Sequence, residues 1–397
     1  MATPFTGEGE RRKGSVELRA LAARRLRPVA DRGAPGKVNR PLLATLGELG
    51  LLSRVVPLAG PVRAQDLCLL RESLAYACTE AETALALQGL GAHPVVAHGT
   101  RAQRARWLPE VAAGRAVAAF ALSEPGAGSD AAALELRAEP TGAGGAIRAG
   151  GADGAAVSGW RLHGEKRWIS NAPQADVYTV FARTGPGTRA AGVTAFLVPA
   201  DRPGLGGEPL EMLGPHPVGT LTFDGVPVGP GDVVGEVGRG FRLAMATLDL
   251  FRPSVGAFAV GMARSALDAS VAHAGERRAF GGPLKDLQAV SHLLAEMATR
   301  TEAAALLVQA AAAAYDAGEP GVAARSAMAK LFATETAQYV VDSAVQIHGA
   351  RALAHGHLLE HLYREVRAPR IYEGASEVQR TIIAKELFRA AGAGASP

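Results

Sequence analysis

The spacing of apolar residues divides the chain into three stretches. Up to about residue 118 it follows the period of helices. Leu42, Leu43, Leu46, Leu49 and Leu51 recur at helical intervals, Ala- and Leu-rich runs continue from Ala64 to Gly99, and "RAQRARWLPEVAAGRAVA" closes the segment. Between 119 and 228 the runs shorten. "AVSGWRLHGEKRWISN", "DVYTVFART", "GVTAFLVPA" and "VGTLTFDGVPV" are rich in β-branched and aromatic residues, with Gly, Pro, Asn and Asp interrupting them roughly every ten residues. From 229 onward the helical period returns. One segment runs from Phe241 to Phe280, with Pro253 as a kink or first-turn residue; a second, from Leu287 to Gly318, puts Leu287, Val290, Leu294 and Met297 on one face. Gly321 to Gly349 and Ser376 to Leu387 complete the set. The pattern predicts an α+β multidomain chain: a helical N-terminal domain over 1–118, a middle antiparallel β-sandwich or barrel over 119–228, and a C-terminal four-helix bundle over 229–397. The Gly/Ala-rich run from Pro140 to Ser158 predicts a flexible loop between two strands.

Composition removes several function classes. With 42 basic and 38 acidic residues, the net charge of +4 is too small and too dispersed for a nucleic-acid partner. The basic clusters Arg11–Gly14 and Ala23–Pro28 read as the solvated face of a helix. Cys68 and Cys78, ten apart in one helical stretch, have neither metal-site spacing nor a disulfide framework. Continuous apolar runs are too short to predict a membrane span, and the start has no secretory core, so a cytoplasmic location is expected. His348, His355 and His357 are close in sequence without ligand spacing, so no metal is expected.

Five stretches carry candidate chemistry. "FALSEPGAGSD" (Phe120–Asp130) is a Gly-rich turn after an apolar strand; its small residues and free N–H groups suit an approaching anion or heterocycle, or simply a turn. No Lys follows, so it is not a nucleotide phosphate loop. "GEKRWISN" (Gly164–Asn171) can lay an indole against a planar ligand and offer it a hydroxyl, or bury the Trp in a core. "ERRAFGGPLKDLQAV" (Glu276–Val290) can present Arg277 to a diphosphate, or end a helix. "QIHGA" (Gln346–Ala350) is a helix end. "IYEGASE" (Ile371–Glu377) sets one carboxylate, Glu373, on a Gly turn before a helix. No dinucleotide G-x-G-x-x-G follows a strand.

In this order the stretches resemble the acyl-CoA dehydrogenase family of flavoproteins. "LSEPGAGSD" is similar to the family's "TEPGAGSD", "GEKRWISN" to "G-x-K-x-W-I-T-N", "ERRAFGGPLKDLQ" to "R-x-x-F-G-x-P-[IL]-x-x-x-Q", and "IYEGASEVQR" to "IYEGTSEIQR". The likeness runs from about Pro41 to Phe388. It implies FAD, an acyl-CoA or acyl-carrier-protein thioester as substrate, an electron-transfer flavoprotein as acceptor, and a homo-oligomer, tetramer or dimer. Carried over by motif, Phe120, Leu122 and Ser123 would lie on one side of the flavin, and Trp168, Ile169 and Ser170 on the other. Arg277, Phe280, Gln288, Gln346, Gly349, Ala375 and Glu377 would hold the rest of FAD, with Ser129 on both cofactor and substrate. Asp249, Arg252 and Gly374 match acyl-CoA contacts.

Glu373 matches the base that takes the α-proton while the β-hydrogen leaves as hydride to the flavin. The resemblance also implies that the Glu373 N–H and a ribityl hydroxyl polarise the thioester carbonyl. Relatives with the base on the long helix would place it at Phe251, which is apolar here. Ala279, Ala350 and Ala375 stand where the family has Thr or Ser, Gly and Thr, so weaker flavin contacts are expected. The stretch after Leu51 lacks the usual "P-E-x-x-G-G", which fits a divergent, biosynthetic member. Two other functions are open on the same fold: a flavin-dependent monooxygenase or N-hydroxylase, whose relatives lack the base, and a flavin-free, non-catalytic member.

Overall fold

A computed structural model of the chain describes residues 8–141, 159–185 and 189–393. Helices come first: α1 (Glu8–Leu21), α2 (Arg27–Ala30), α3 (Arg40–Glu48), α4 (Leu52–Val55), α5 (Ala64–Ala77), α6 (Thr79–His98) and α7 (Arg101–Ala112). Strands follow: β1 (Ala118–Ala121), β2 (Arg137–Thr141), β3 (Gly159–Ser170), β4 (Val177–Arg183), β5 (Val193–Pro199), β6 (Leu205–Gly206), β7 (Pro209–Leu210), β8 (Val218–Val228) and β9 (Val233–Val234). Then come α8 (Gly240–Glu276), the two-stranded ribbon β10 (Arg278–Ala279) and β11 (Gly282–Pro283), α9 (Gln288–Asp316), α10 (Val322–His348), α11 (Leu358–Val366) and α12 (Ser376–Ala393). The architecture is helical, then mixed sheet, then helical. By contact the chain forms two compact units. A helical unit comprises Met1–Arg27, Arg63–Glu82 and Asp249–Pro397; a sheet unit comprises Pro28–Val62 and Thr83–Leu248.

In the sheet unit the nine strands run in the order β6-β8-β3-β2-β4-β5-β9, with β1 paired to β4 and β7 to β8. The sheet is mixed where an antiparallel one was expected. β1 lies parallel to β4 from Ala118↔Val177 to Ala121↔Val180, and β2 meets β4 in parallel at Arg137↔Arg183. Intervening β3 supplies the long return that a parallel pair requires. Strands β4 and β5 are buried almost throughout, which is why their runs are apolar without alternation. The flexible loop expected over Pro140–Ser158 lies outside the described residues from 142 onward; Pro140 and Thr141 end β2. The Leu42–Leu51 stripe is shorter than a continuous helix. Asn39 caps α3 by accepting from the Leu42 N–H, and Gly50 at φ +70° ends it, so Leu49 and Leu51 fall beyond it.

The helical unit is built on small residues. α9 buries Ala304, Ala305, Val308, Ala311 and Ala312, and α10 buries Ala327, Ala329, Ala333, Ala337 and Ala344. The predicted face of α9 is covered only from Met297 onward; Leu287 is 36% exposed, because the close-packed small residues begin after the first turns. Pro253 sits inside α8 without ending it. Sequence alone predicted no membrane span, yet α8 is long and apolar enough for one; most of that stretch is buried, as in a core helix. Cys68 and Cys78 are free and buried, on α5 and just past its end. Arg27, placed on the solvated face by its sequence, instead donates from Nε to the Ala77 carbonyl at 3.1 Å.

Helix α8 passes α5 at Gly261. A Cβ there would strike the Glu72 carbonyl and approach Ala75 Cβ to 2.7 Å. Gly261→Ala is expected to destabilise by about 1–3 kcal/mol through overpacking against backbone that cannot rotate away. Gly275→Ala, with nothing within 4 Å, should be neutral or stabilising. Thermal denaturation of the two variants side by side checks this; equal melting temperatures would refute the close approach.

Candidate active site

In the sheet unit, two of the sequence motifs are locked together by a buried ion pair. Glu124 folds back on itself, its N–H donating to the Ala127 carbonyl at 3.2 Å and its carbonyl accepting from the Ala127 N–H at 3.1 Å. Its carboxylate accepts from the N–H groups of Glu135 (2.5 Å) and Leu136 (3.0 Å). Lys166 Nζ reaches the same carboxylate at 2.7 Å and the Leu122 carbonyl at 2.9 Å. Burial draws the Lys166 ammonium down to about 8, with Glu124 working against it. Arg167 N–H donates to the Ser123 carbonyl at 3.0 Å, tying β3 to the end of β1.

That tie produces a bulge. Register with β8 shifts between Lys166↔Leu221 and Ile169↔Gly219, and Trp168 takes φ +56°. A bulky residue at positive φ is an outlier that the surroundings must enforce. The outcome is an indole 47% exposed, beside the Arg167 guanidinium at 5.6 Å from its ring centroid. Phe120, Leu122, Ser123, Trp168, Ile169 and Ser170 are thereby gathered where β1 and β3 end. Leu122 and Ile169 turn into the core, whereas Phe120, Ser123, Trp168 and Ser170 keep surface. Ser129 is exposed on the turn beyond.

In the helical unit, Glu373 sits between Arg370 and α12 with φ +51°, followed by Gly374 at +97°. Four hydrogen bonds clamp the backbone there. The Glu373 carbonyl accepts from Arg252 Nε (3.4 Å) and Gln379 Nε2 (3.2 Å); the Gly374 carbonyl accepts from Lys330 Nζ (2.6 Å) and Gln379 Nε2 (2.8 Å). Beyond the turn, Ser376 Oγ donates to Glu335 at 2.6 Å, and Arg370 pairs with the same carboxylate at 2.8 Å. The Glu373 side chain is half-buried by area, but its Oε2 reaches neither solvent nor a protein partner. Burial raises this carboxyl above the ordinary 4.5, against the pull of Arg71, Lys330 and Arg252. Lys330 is itself drawn down to about 8 by burial. Arg252 is buried and paired with Asp249 at 2.7 Å. Phe251 is fully buried.

The remaining predicted residues lie at the ends of α8, α9 and α10. After α8, the ribbon turns through Phe280 (φ +52°) and Gly281 (φ +89°), the two left-handed residues of a tight hairpin. Phe280 is 92% exposed. Arg277, Gln288, Gln346 and Gly349 are also exposed. His273 of α8 stacks on His348 of α10 at 4.1 Å between ring centroids, so Arg277 and Gln346 belong to the same end of the bundle. Gly349 ends α10 at φ +64°. Ala375 is half-buried, and Glu377 is exposed beside Arg380.

Comparison with known proteins fits this geometry. Sequence models of the acyl-CoA dehydrogenase N-terminal, middle and C-terminal domains match residues 10–115, 119–226 and 238–388. Cyclohexane-1-carbonyl-CoA dehydrogenase of Geobacter metallireducens is 34% identical over 98% of this chain and 100% of its own. The chain belongs to the acyl-CoA dehydrogenase family. Butyryl-CoA dehydrogenase from Megasphaera elsdenii superposes with a TM-score of 0.86 at 30% identity, covering 97% of this chain and 100% of that one. A structure described for the electron transferring flavoprotein of Acidaminococcus fermentans gives 0.87 at 30%, covering 98% and 100%.

Some polar residues of this dehydrogenase escape a motif reading. Lys330 stands alone in the apolar run "SAMAKLFA", and Arg71 and Glu82 interrupt Ala- and Leu-rich helices eleven residues apart. A charge within an apolar helical stripe was the available signal. Lys166 and Glu124 lie inside the recognised motifs, but nothing in their spacing marks them as a pair.

Two outcomes follow. Lys166→Met leaves the Glu124 carboxylate buried without its cation, and should cost about 3–5 kcal/mol in chemical denaturation; a loss below about 1 kcal/mol would contradict the locking role. Because the Glu373 carboxyl is raised in the fold, the folded state holds its proton more tightly than the unfolded chain. Stability therefore falls as pH rises from 4.5 through the raised value. Glu373→Gln should melt higher than the parent at neutral pH, the gain vanishing below 4.5, as melting curves across pH would show.

Proposed function

We propose that this acyl-CoA dehydrogenase desaturates an acyl thioester with Glu373 as the base that removes the α-proton. The observation carrying this reading is a carboxylate oxygen that is buried, without a protein partner, and fixed on a left-handed turn by four hydrogen bonds to its backbone. A structural glutamate would be hydrogen-bonded or solvated. Burial strengthens it as a base, and an acyl chain that excludes more water strengthens it further. The Glu373 N–H has no acceptor among the described residues, which leaves it free to donate to the thioester carbonyl and stabilise charge developing there. Arg252 and Lys330 hold the turn and offset the carboxylate's charge without bonding it.

The family is FAD-dependent, and the residues present fit that cofactor. Each unit holds out a large aromatic side chain at positive φ, Trp168 in one and Phe280 in the other, a costly arrangement without a ligand. Trp168, Ser170, Ser123 and Phe120 would hold the ring; Arg277, Gln288, Gln346 and Gly349 would hold the diphosphate and adenosine end. When bound, FAD supplies the acceptor for the β-hydride. The Acidaminococcus neighbour supports an electron-transfer flavoprotein as the partner that reoxidises the enzyme.

The test is anaerobic addition of acyl-CoAs to the FAD-loaded protein. Substrate should bleach the oxidised flavin spectrum, and Glu373→Gln should slow bleaching by about 10²–10⁴-fold at unchanged flavin content. A variant that bleaches at the parental rate would remove Glu373 from the chemistry.

A further inference from the structure

Three histidines meet at one end of the helical unit and take no part in holding the Glu373 turn. His273 lies in the last turn of α8, His348 ends α10, and His357 immediately precedes α11. The rings of His273 and His348 stack at 4.1 Å between centroids with 21° between their planes, and His357 meets His348 edge-on at 5.6 Å. Their hydrogen bonds fix where the hydrogens sit. His348 Nδ1 is 2.9 Å from the Ala344 carbonyl, which can only accept, so Nδ1 carries hydrogen and the neutral ring keeps its lone pair on Nε2. That Nε2 bonds nothing among the described residues. His357 Nδ1 accepts from the Leu359 N–H at 3.1 Å and so caps α11; a proton on that nitrogen would break the cap.

The charges around the stack are mostly positive. Arg277 lies one turn on from His273 and donates its N–H to the His273 carbonyl at 2.8 Å, so the two side chains share a face. Arg351 comes two residues after Gly349. Both guanidiniums are exposed, and neither has an ion-pair or hydrogen-bond partner among the described residues. Arg278 extends the set along β10. Of the acids, Glu276 is exposed beside Arg277, while Glu360 is taken by Arg364 at 2.8 Å and His355 at 3.3 Å. Burial, then Arg351 and Arg277, hold His273 below the ordinary imidazole value. Burial holds His348 down as well, against the Ala344 carbonyl and with His273, His357 and Arg351 adding to it. In the chain by itself both rings are neutral near pH 7.

We propose that His273 and His348 belong to the diphosphate-binding end of the FAD site, and that His348 takes up a proton when the diphosphate binds. The proposal rests on reading Arg277, Gln346 and Gly349 as the residues that hold that end. A diphosphate brings two negative charges to unpaired guanidiniums and an open Nε2. It offsets the arginines, and the charged ring becomes the favoured one. His348 is the better acceptor of the stacked pair. Its Nδ1–H serves a carbonyl at the C-terminus of α10, where a cation is stabilised, whereas His273 has Arg277 one turn away. Two imidazoliums stacked at 4.1 Å would repel, which limits uptake to one proton. The diphosphate of FAD is esterified at both ends. It lacks the second ionisation that a phosphate monoester has at about 6, so the proton taken up is the protein's.

The experiment dilutes the FAD-loaded protein and follows released flavin by fluorescence from about pH 8 to about pH 6. FAD affinity should rise as pH falls, approaching tenfold per pH unit, as uptake of one proton requires. His348→Phe, which keeps the stack and removes the titrating nitrogen, should flatten the profile; His273→Phe should keep the slope. A flat profile for the parent, or an unchanged slope in His348→Phe, overturns the proposal. Should His348→Phe not fold, calorimetry of FAD binding to the flavin-depleted parent in two buffers of different ionisation heat decides. Proton uptake there supports the proposal, and none overturns it. A slope for dephospho-CoA binding to the FAD-saturated protein, without one for FAD, gives the diphosphate to the substrate and overturns the assignment to FAD. Arg277→Met with parental FAD affinity at every pH removes the diphosphate from this end altogether; that outcome overturns the underlying reading of the site and is distinct from loss of the slope alone.

Discussion

The turn that carries the Glu373 carboxylate is held through its backbone carbonyls, and that hold draws three helices of the helical unit together. On the proposed reading of Glu373 as the base, a hydrogen bond to its side chain would fix it and weaken it. The hold is therefore moved to the carbonyls of Glu373 and Gly374, which accept from three side chains on three helices: Arg252 on α8, Lys330 on α10 and Gln379 on α12. Lys330 can reach only because α10 packs through small residues, Ala327, Ala329 and Ala333 around it. A Cβ at Gly374 would run into the Gln379 amide, so glycine there is required by the clamp as well as by φ +97°. The bond from Ser376 to Glu335 secures the start of α12 from the other side. Ala375, where the family has a hydroxyl, takes no part in this hold. Its departure from the family's hydroxyl leaves the turn's hydrogen bonds in place.

The sheet unit meets a buried charge in the opposite way. Glu124 is fully satisfied, by two backbone N–H groups and by Lys166, and an ionised pair so enclosed is rigid. Its function is to make one strand end incompatible with regular pairing. With Lys166 drawn inward and the Arg167 N–H spent on Ser123, the chain has one residue too many before Ile169, and Trp168 is the residue left outside. A satisfied pair builds the scaffold here. In the helical unit one carboxylate oxygen, Glu373 Oε2, is left unsatisfied. Buried charge in itself signals neither role; its hydrogen-bond ledger separates them.

The order of elements was legible in the sequence, because helical and strand periods differ and the long segments are strongly patterned. Glycine positions 50, 349 and 374 do what sequence rules assign to them. Parallel pairing of β1 with β4 was not legible: a four-residue strand carries no signal of its direction, and the partner lies some sixty residues away. The stripe Leu42–Leu51 read as one helix because Leu51 is buried too, although from a different element. The motifs singled out Glu373 and Trp168, both of which the structure holds at positive φ. What surrounds them was hidden, since Lys330 and Arg252 are distant in sequence and reach the Glu373–Gly374 turn only through the packing of α10 and α8. Single charges in apolar helices are the visible trace of such clusters, but the sequence does not say which of them meet.

Ion pairs among the neighbouring groups leave the Glu373 carboxylate without a bonded partner. Glu82 pairs with Arg71, and Asp249 pairs with Arg252. Lys330 donates one of its three ammonium hydrogens to the Gly374 carbonyl, and its charge acts on Glu373 with no hydrogen bond between the two side chains. Charge attraction at a distance stabilises the ionised base, while desolvation destabilises it, and the second effect prevails in the folded chain. An entering acyl group adds to desolvation and leaves the three cations in place. On the proposed reading, Glu373 is the stronger base when a substrate covers it and the weaker one when it is open to water. With Glu373 as the proposed base, that ordering favours proton removal once an acyl group is bound.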